Sequence, residues 1–170
     1  MRQIKGKEGN KLIVLDGGMG GELIRRGVTG GDGLWSAQAL VEQPDTVLGV
    51  HRDYIAAGAQ VIITNSYSTI PSYLAKGGLE DKYVEYTKLA GEIARRAVGE
   101  SGKDVLVAGS IPPLDESYRY DLVPPEEEAA PIYQRLVEAL NPYVDLFVCE
   151  TMSCVRARTA VAAASAHGEG

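Results

Sequence analysis

An α/β fold of four successive strand and helix units is predicted by three features of the sequence. Four short apolar runs, Leu12–Asp16, Val61–Thr64, Val105–Ala108 and Leu146–Cys149, are mostly continuous rather than alternating. That pattern marks strands buried on both faces, as when helices cover a parallel sheet. Helical-period stretches lie between them. Each run also ends in small or polar residues, "DGG", "TNSY", "GS" and "ET", and in parallel α/β architectures ligands gather at the carboxyl ends of the strands.

Residues 1–11 are charged, lack the apolar segment of a signal peptide, and read as an extension ahead of the first strand. After that strand, Asp16–Glu22 ("DGGMGGE") is a glycine-rich turn leading into a helix, and "GLWSAQAL" is a short helix in which Trp35 packs. From Asp45 to Ala57, Val47, Val50, Tyr54 and Ile55 recur at helical spacing, with Pro44 at the start and Gly58 just past the end. A second long helix is predicted from Leu79 to Val98, where Leu89, Ile93 and Ala97 form one stripe and Gly99 is the stop. A third runs from Glu126 to Leu140 with Ile132, Leu136 and Leu140 on one face. Its first turn holds Glu126, Glu127 and Glu128, where the helix dipole favours them, and Asn141 and Pro142 end it. The last, from Val155 to His167, is alanine-rich and ends at Gly168.

The strands begin at residues 12, 61, 105 and 146, and four such units consume the 170 residues. An eight-unit (β/α) barrel takes about 250 residues, so the chain is either half of one or a complete open four-stranded domain. Composition narrows the function. Lys and Arg number 17 against 23 Asp and Glu, a net charge of −6, so there is no cation surplus for nucleic acid or anionic lipid. No apolar run is long enough to span a bilayer, and two cysteines fit a reducing cytosol rather than a disulfide framework.

The candidate site residues lie at the strand ends. The glycine-rich turn lacks the endings of a phosphate loop or a dinucleotide fingerprint, so attention falls on Asp16, a carboxylate that is either hydrogen-bonded in the loop or available to a substrate ammonium. Glu150 follows the fourth strand as Asp16 follows the first. Together the two acids would grip one cation or form an acid and base pair of the glycosidase type, unless Glu150 is simply paired with an arginine. Asn65, Ser66, Tyr67 and Ser68 offer neutral donors and acceptors to a polar ligand, or cap their own loop. Ser110 precedes the stiff "IPP" turn, and no serine has a triad at recognisable spacing. His51 reads as a surface or packing residue. Cys149 faces the helices if Glu150 faces the mouth, and Cys149 with Cys154 cannot complete a zinc site.

"LDGGMGGEL", "LWSAQAL", "PDTVLGVHRDYIAAGAQVIITNSY", "VAGSIPP" and "VDLFVCETMS" together resemble the homocysteine S-methyltransferase family, over residues 12–166. The resemblance implies a (β/α)8 TIM barrel, of which residues 12–170 are the amino-terminal half. It implies homocysteine and a small methyl donor as ligands, and zinc held by three cysteines that binds the homocysteine sulfur as a thiolate. Carried over, Asp16 and Glu150 stand near the ammonium, Thr64, Asn65 and Ser66 line the pocket, and Gly17 and Gly18 admit substrate against the backbone. The family's zinc cysteines lie in the second half of the barrel, and neither Cys149 nor Cys154 matches them. The expectation is therefore a cytoplasmic methyltransferase when intact, using a sulfonium donor such as S-methylmethionine or S-adenosylmethionine. The alternatives are a non-catalytic half-barrel that binds a complementary half or a second copy, and a barrel hydrolase using the two carboxylates.

Overall fold

The computed structural model describes residues 12–28, 34, 36–155 and 158–166. Its elements follow in the order α1 (Met19–Arg25), α2 (Ser36–Glu42), α3 (Pro44–Ala57), β1 (Val61–Ile63), α4 (Pro71–Leu74), α5 (Tyr83–Ser101), β2 (Leu106–Ile111), α6 (Glu126–Leu140), β3 (Leu146–Cys149) and α7 (Arg158–Ala166). The three strands form a parallel sheet in the order β1-β2-β3. On its outer side α3 packs on α5, α5 on α6 and α6 on α7. Alternation along the strands divides the sheet into two faces. Ile62 and Val107 join the core beneath α3 and α5. Val61, Leu106 and Ala108 form a second, inner cluster with Ile13, Ile63, Leu146 and Val148. A closed barrel is not formed among the described residues.

The first predicted strand, Leu12–Asp16, is reduced to a single parallel bridge between Leu15 and Val61. The segment still runs beside β1: the Gln60 N–H donates to the Val14 carbonyl at 2.8 Å, and the Asp16 N–H to the Val61 carbonyl at 3.0 Å. The Val14 N–H, however, is taken by the Gln60 side chain at 3.2 Å, and Leu12, Val14 and Leu15 are exposed. A side chain has replaced a ladder bond on a segment that has no neighbour on its other edge among the described residues.

β2 runs past the predicted end at Ala108, because Gly109, Ser110 and Ile111 pair with Phe147, Val148 and Cys149. A turn of 3-10 helix, Glu80–Lys82, precedes α5, so the helix begins after the expected Leu79. Gly99 stays helical and the reversal comes at Gly102, whose positive φ of 62° suits glycine. Arg52 and Arg96 both pair with Glu100 in that last turn, which carries the helix past Gly99. The helices over Pro44–Ala57 and Glu126–Leu140 form where the periodicity placed them. α7 starts three residues later than the expected Val155, while Trp35, His167, Gly168 and residues 1–11 lie outside the described residues.

At the amino end of the sheet, Asp145 Oδ2 accepts from the Val107 N–H at 2.8 Å and from Arg95 Nη2 at 2.9 Å. Arg95 Nε also donates to the Tyr143 carbonyl at 2.7 Å. This end is closed by its own charge pair.

Candidate functional site

The register lays the carboxyl ends of the strands side by side. Leu15 is bridged to Val61, Ile63 pairs with Ala108, and Ile111 pairs with Cys149. Asp16, Thr64, Ser110 and Glu150 therefore occupy neighbouring positions across one rim. Asp16 Oδ2 accepts from the Ile63 N–H at 2.8 Å. Burial pushes its carboxyl up to about 6, against the lowering effect of the Ile63 and Asp16 N–H groups, and repulsion from Glu150 adds to the rise. At neutral pH Asp16 is mostly ionised in a setting that penalises the charge, and an arriving cation would relieve that penalty.

Two hydroxyls clamp the backbone of Ser110, whose own hydroxyl reaches the second acid. Ser66 Oγ donates to the Ser110 carbonyl at 3.0 Å. A carbonyl only accepts, so the single Ser66 proton is committed there and the Thr64 hydroxyl, 2.8 Å away, donates to Ser66 Oγ. Thr64 Oγ1 in turn accepts from the Ser110 N–H at 3.0 Å, and Ser110 Oγ donates to Glu150 Oε1 at 2.5 Å. Asn65 Nδ2 donates to the Ser36 carbonyl at 3.0 Å, tying the end of β1 to α2. Thr64, Asn65, Ser66 and Ser110 are all buried, so their polar atoms hold the rim in shape. Among the described residues no ion pair reaches Glu150. The residue after it, Thr151, has φ 58°, a left-handed conformation that strains a β-branched residue by about 1–3 kcal/mol.

The segment after β2 covers the same end. Tyr67 and Ser117 are joined by a short hydroxyl hydrogen bond, and Ser72 Oγ donates to the Leu114 carbonyl at 2.8 Å. Tyr118 projects from it, 84% exposed and at positive φ.

Other candidates fall into structural places. At Gly17 the position of a Cβ lies 2.7 Å from the Tyr54 hydroxyl oxygen, whereas at Gly18 that space is open. His51 is fully buried in α3 with neither ring nitrogen partnered, and burial pulls its imidazole down to about 4. It is a packing residue and not a surface one. Cys149 packs with Ile111, Tyr133 and Leu136 on the helical side of the sheet, and burial pushes its thiol up. A zinc ligand must lose that proton, and among the described residues no three His, Cys, Asp or Glu side chains are grouped to hold a metal. The cysteines of this chain do not fit the zinc centre that the resemblance implies.

Ser110 is the residue whose role the local sequence hides. Its partner stands 40 positions away, and the only mark of the pairing is that serine and glutamate occupy equivalent ends of adjacent strands.

The sequence profile of the family described as homocysteine S-methyltransferase matches residues 13–169. This chain belongs to the homocysteine S-methyltransferase family. It is 38% identical over 156 residues to the homocysteine S-methyltransferase of Escherichia coli K12, covering 83% of this chain and 50% of that protein. To the homocysteine S-methyltransferase YbgG of Bacillus subtilis it is 34% identical over 167 residues, covering 88% and 53%. The crystal structure of the E. coli homocysteine methyltransferase MmuM in its metallated form superposes with a TM-score of 0.75 at 36% identity, covering 85% of this chain and 55% of that one. The chain thus spans about half the length of the curated relatives it matches. No described helix is long and apolar enough to cross a membrane.

Proposed function

We propose that this chain forms the amino-terminal half of a (β/α)8 homocysteine S-methyltransferase and supplies the grip on the substrate's amino-acid end. The observation that carries the reading is the pair of carboxylates, Asp16 and Glu150, at the outer ends of one rim, electrostatically coupled and without an ion-pair partner among the described residues. Homocysteine's ammonium, placed between them, would complete the charge balance that the fold leaves open. The remaining rim, Thr64 to Ser66 with Gly18, would line the pocket floor, the open space at Gly18 admitting the ligand against the backbone, whereas at Gly17 that space is taken by Tyr54.

Catalysis requires the homocysteine sulfur to be delivered in line with the methyl group. Anchoring the ammonium on one half of the mouth directs the thiol toward the other half, where zinc would be held by cysteines that this chain does not contain. With a sulfonium donor, the homocysteine sulfur lone pair forms the new S–CH3 bond as the donor's S–CH3 bond breaks. The donor departs as a neutral thioether, and the substrate thiol loses its proton. S-methylmethionine and S-adenosylmethionine have that chemistry.

The test is methionine formation by the full-length, zinc-loaded protein, compared across S-methylmethionine, S-adenosylmethionine, betaine and methyltetrahydrofolate. Faster turnover with either sulfonium compound is expected. A preference for betaine or the folate would overturn the donor, and no methionine from any of the four would overturn the activity. The 170-residue chain alone is expected to retain no zinc after mild chelation and to form no methionine.

A further inference from the structure

We propose that Ser110 is a positioning residue for substrate recognition: its hydroxyl holds the Glu150 carboxylate in the orientation that receives the ammonium. The proposal rests on the homocysteine reading above and adds to it the means by which the pocket tells an amino acid from its deaminated counterpart.

Three observations carry it. Ser110 is 1% exposed and its side chain shares the inner face with those of Leu106 and Ala108, beside an apolar cluster. A hydroxyl at that position gives nothing to packing, and its one proton goes to Glu150 Oε1. Next, the direction of donation is fixed. Ser66 is committed to the Ser110 carbonyl and Thr64 to Ser66, while the Ser110 N–H is held by Thr64 Oγ1. Ser110 is therefore pinned at its N–H and its carbonyl, and its hydroxyl meets a carboxylate that can only accept while ionised. Finally, the two acids are held differently. Asp16 is held by backbone N–H groups, whereas Ser110 is the only side chain among the described residues that donates a hydrogen bond to either acid. With one oxygen occupied by Ser110, Glu150 turns its other oxygen to a ligand. Without the hydroxyl, the carboxylate is free to rotate and loses a charge-assisted bond.

A structural serine and a positioning serine give different results. Affinities of the full-length protein are measured by titration calorimetry for homocysteine and for 4-sulfanylbutanoate, which keeps the thiol and carboxylate but lacks the ammonium. Wild type is expected to prefer homocysteine. Ser110→Ala should lose on the order of 10-fold in homocysteine affinity with its affinity for 4-sulfanylbutanoate unchanged, and Ser110→Thr, which keeps the hydroxyl, should restore the preference. Equal weakening of both ligands, or of neither, overturns the proposal while leaving the homocysteine reading intact. A wild type without any preference overturns the ammonium grip itself, and the positioning role with it. Should Ser110→Ala fail to fold, Ser110→Cys, close in size and a poor donor, answers the same question by the same two affinities.

Discussion

β3 is bracketed by two acids, Asp145 before its first residue and Glu150 after its last, and the sheet treats them oppositely. Asp145 is met by a guanidinium, Arg95 Nη2 at 2.9 Å, and by the Val107 N–H. Glu150 is met by a neutral hydroxyl and by no described cation. The first arrangement is complete in itself and ties α5 to the amino end of the sheet. The second orients a charge that no described residue neutralises, the place at which the proposed function puts a substrate cation. Which acid has its counter-charge built in distinguishes the amino end of this sheet from the end at which substrate binding is proposed, the end that carries the site in barrel enzymes.

Acid should have the largest effect on stability, through a buried imidazole of α3 that belongs to neither end. The His51 imidazole is held at about 4, below its ordinary 6.5, so the unfolded chain takes up the proton first. The destabilisation due to His51 is absent above pH 6.5 and grows as pH drops from there through 4, to about 3 kcal/mol. His51→Leu should flatten this dependence in urea melts recorded from pH 7 to 4; an unchanged slope would assign the acid sensitivity elsewhere. At neutral pH, Glu150→Gln in the full-length protein should weaken homocysteine binding by roughly 10- to 150-fold, the equivalent of about 1.5–3 kcal/mol, with its melting temperature and zinc content unchanged. Normal affinity by calorimetry would remove Glu150 from the pocket.

Asp145→Ala should do the reverse. The Val107 N–H loses its acceptor and Arg95 its partner, a destabilisation of about 2 kcal/mol readable as a lower urea midpoint, with homocysteine affinity untouched. A change in affinity there would mean that the two ends are not independent. Asp16→Asn should shift stability by less than Asp145→Ala and in the opposite direction. Since folding raises this carboxyl to about 6 from 3.8, the native state binds the extra proton between those values and wild type loses stability as pH rises through 6. The asparagine variant avoids the loss. It should be more stable than wild type above pH 6 by about 1 kcal/mol after solvent screening, show no such gain near pH 4, and bind homocysteine more weakly. A variant less stable than wild type at pH 7 would show that the charge is accommodated without a ligand.

Much of this was legible along the chain because the signals are local. The continuous run Leu146–Cys149 coincides with β3, and the glutamates of α6 and the proline of α3 stand where helix starts require them. Asp16 and Glu150 stood out because each follows a strand directly. The misreadings arise where a partner distant in sequence decides. Gly109 and Ser110 are poor strand formers and joined β2 only through pairing with β3. Leu12–Asp16 has the residues of a strand but keeps only one bridge to Val61, the Val14 N–H going to the Gln60 side-chain oxygen. The hydrogen bonds by which Thr64 and Ser66 hold the Ser110 backbone and Ser110 holds Glu150 link three strand ends, a pattern that no window of sequence contains.

The close approach at Gly17 has a consequence for how the protein can vary. A methyl group there would meet the Tyr54 ring and its hydroxyl, while the same hydroxyl reaches back to the Gly18 carbonyl at 3.4 Å. Positions 17 and 54 are thus coupled: alanine at 17 requires the Tyr54 ring to shift, and is accommodated more easily once 54 carries a smaller side chain. A double-mutant cycle on Gly17→Ala and Tyr54→Leu would register this as a coupling of about 1 kcal/mol or more, the pair being less harmful than the sum of its members. The rim of this pocket would then drift in sequence by paired steps, with the aromatic ring of α3 setting how near the backbone of the first strand end can come.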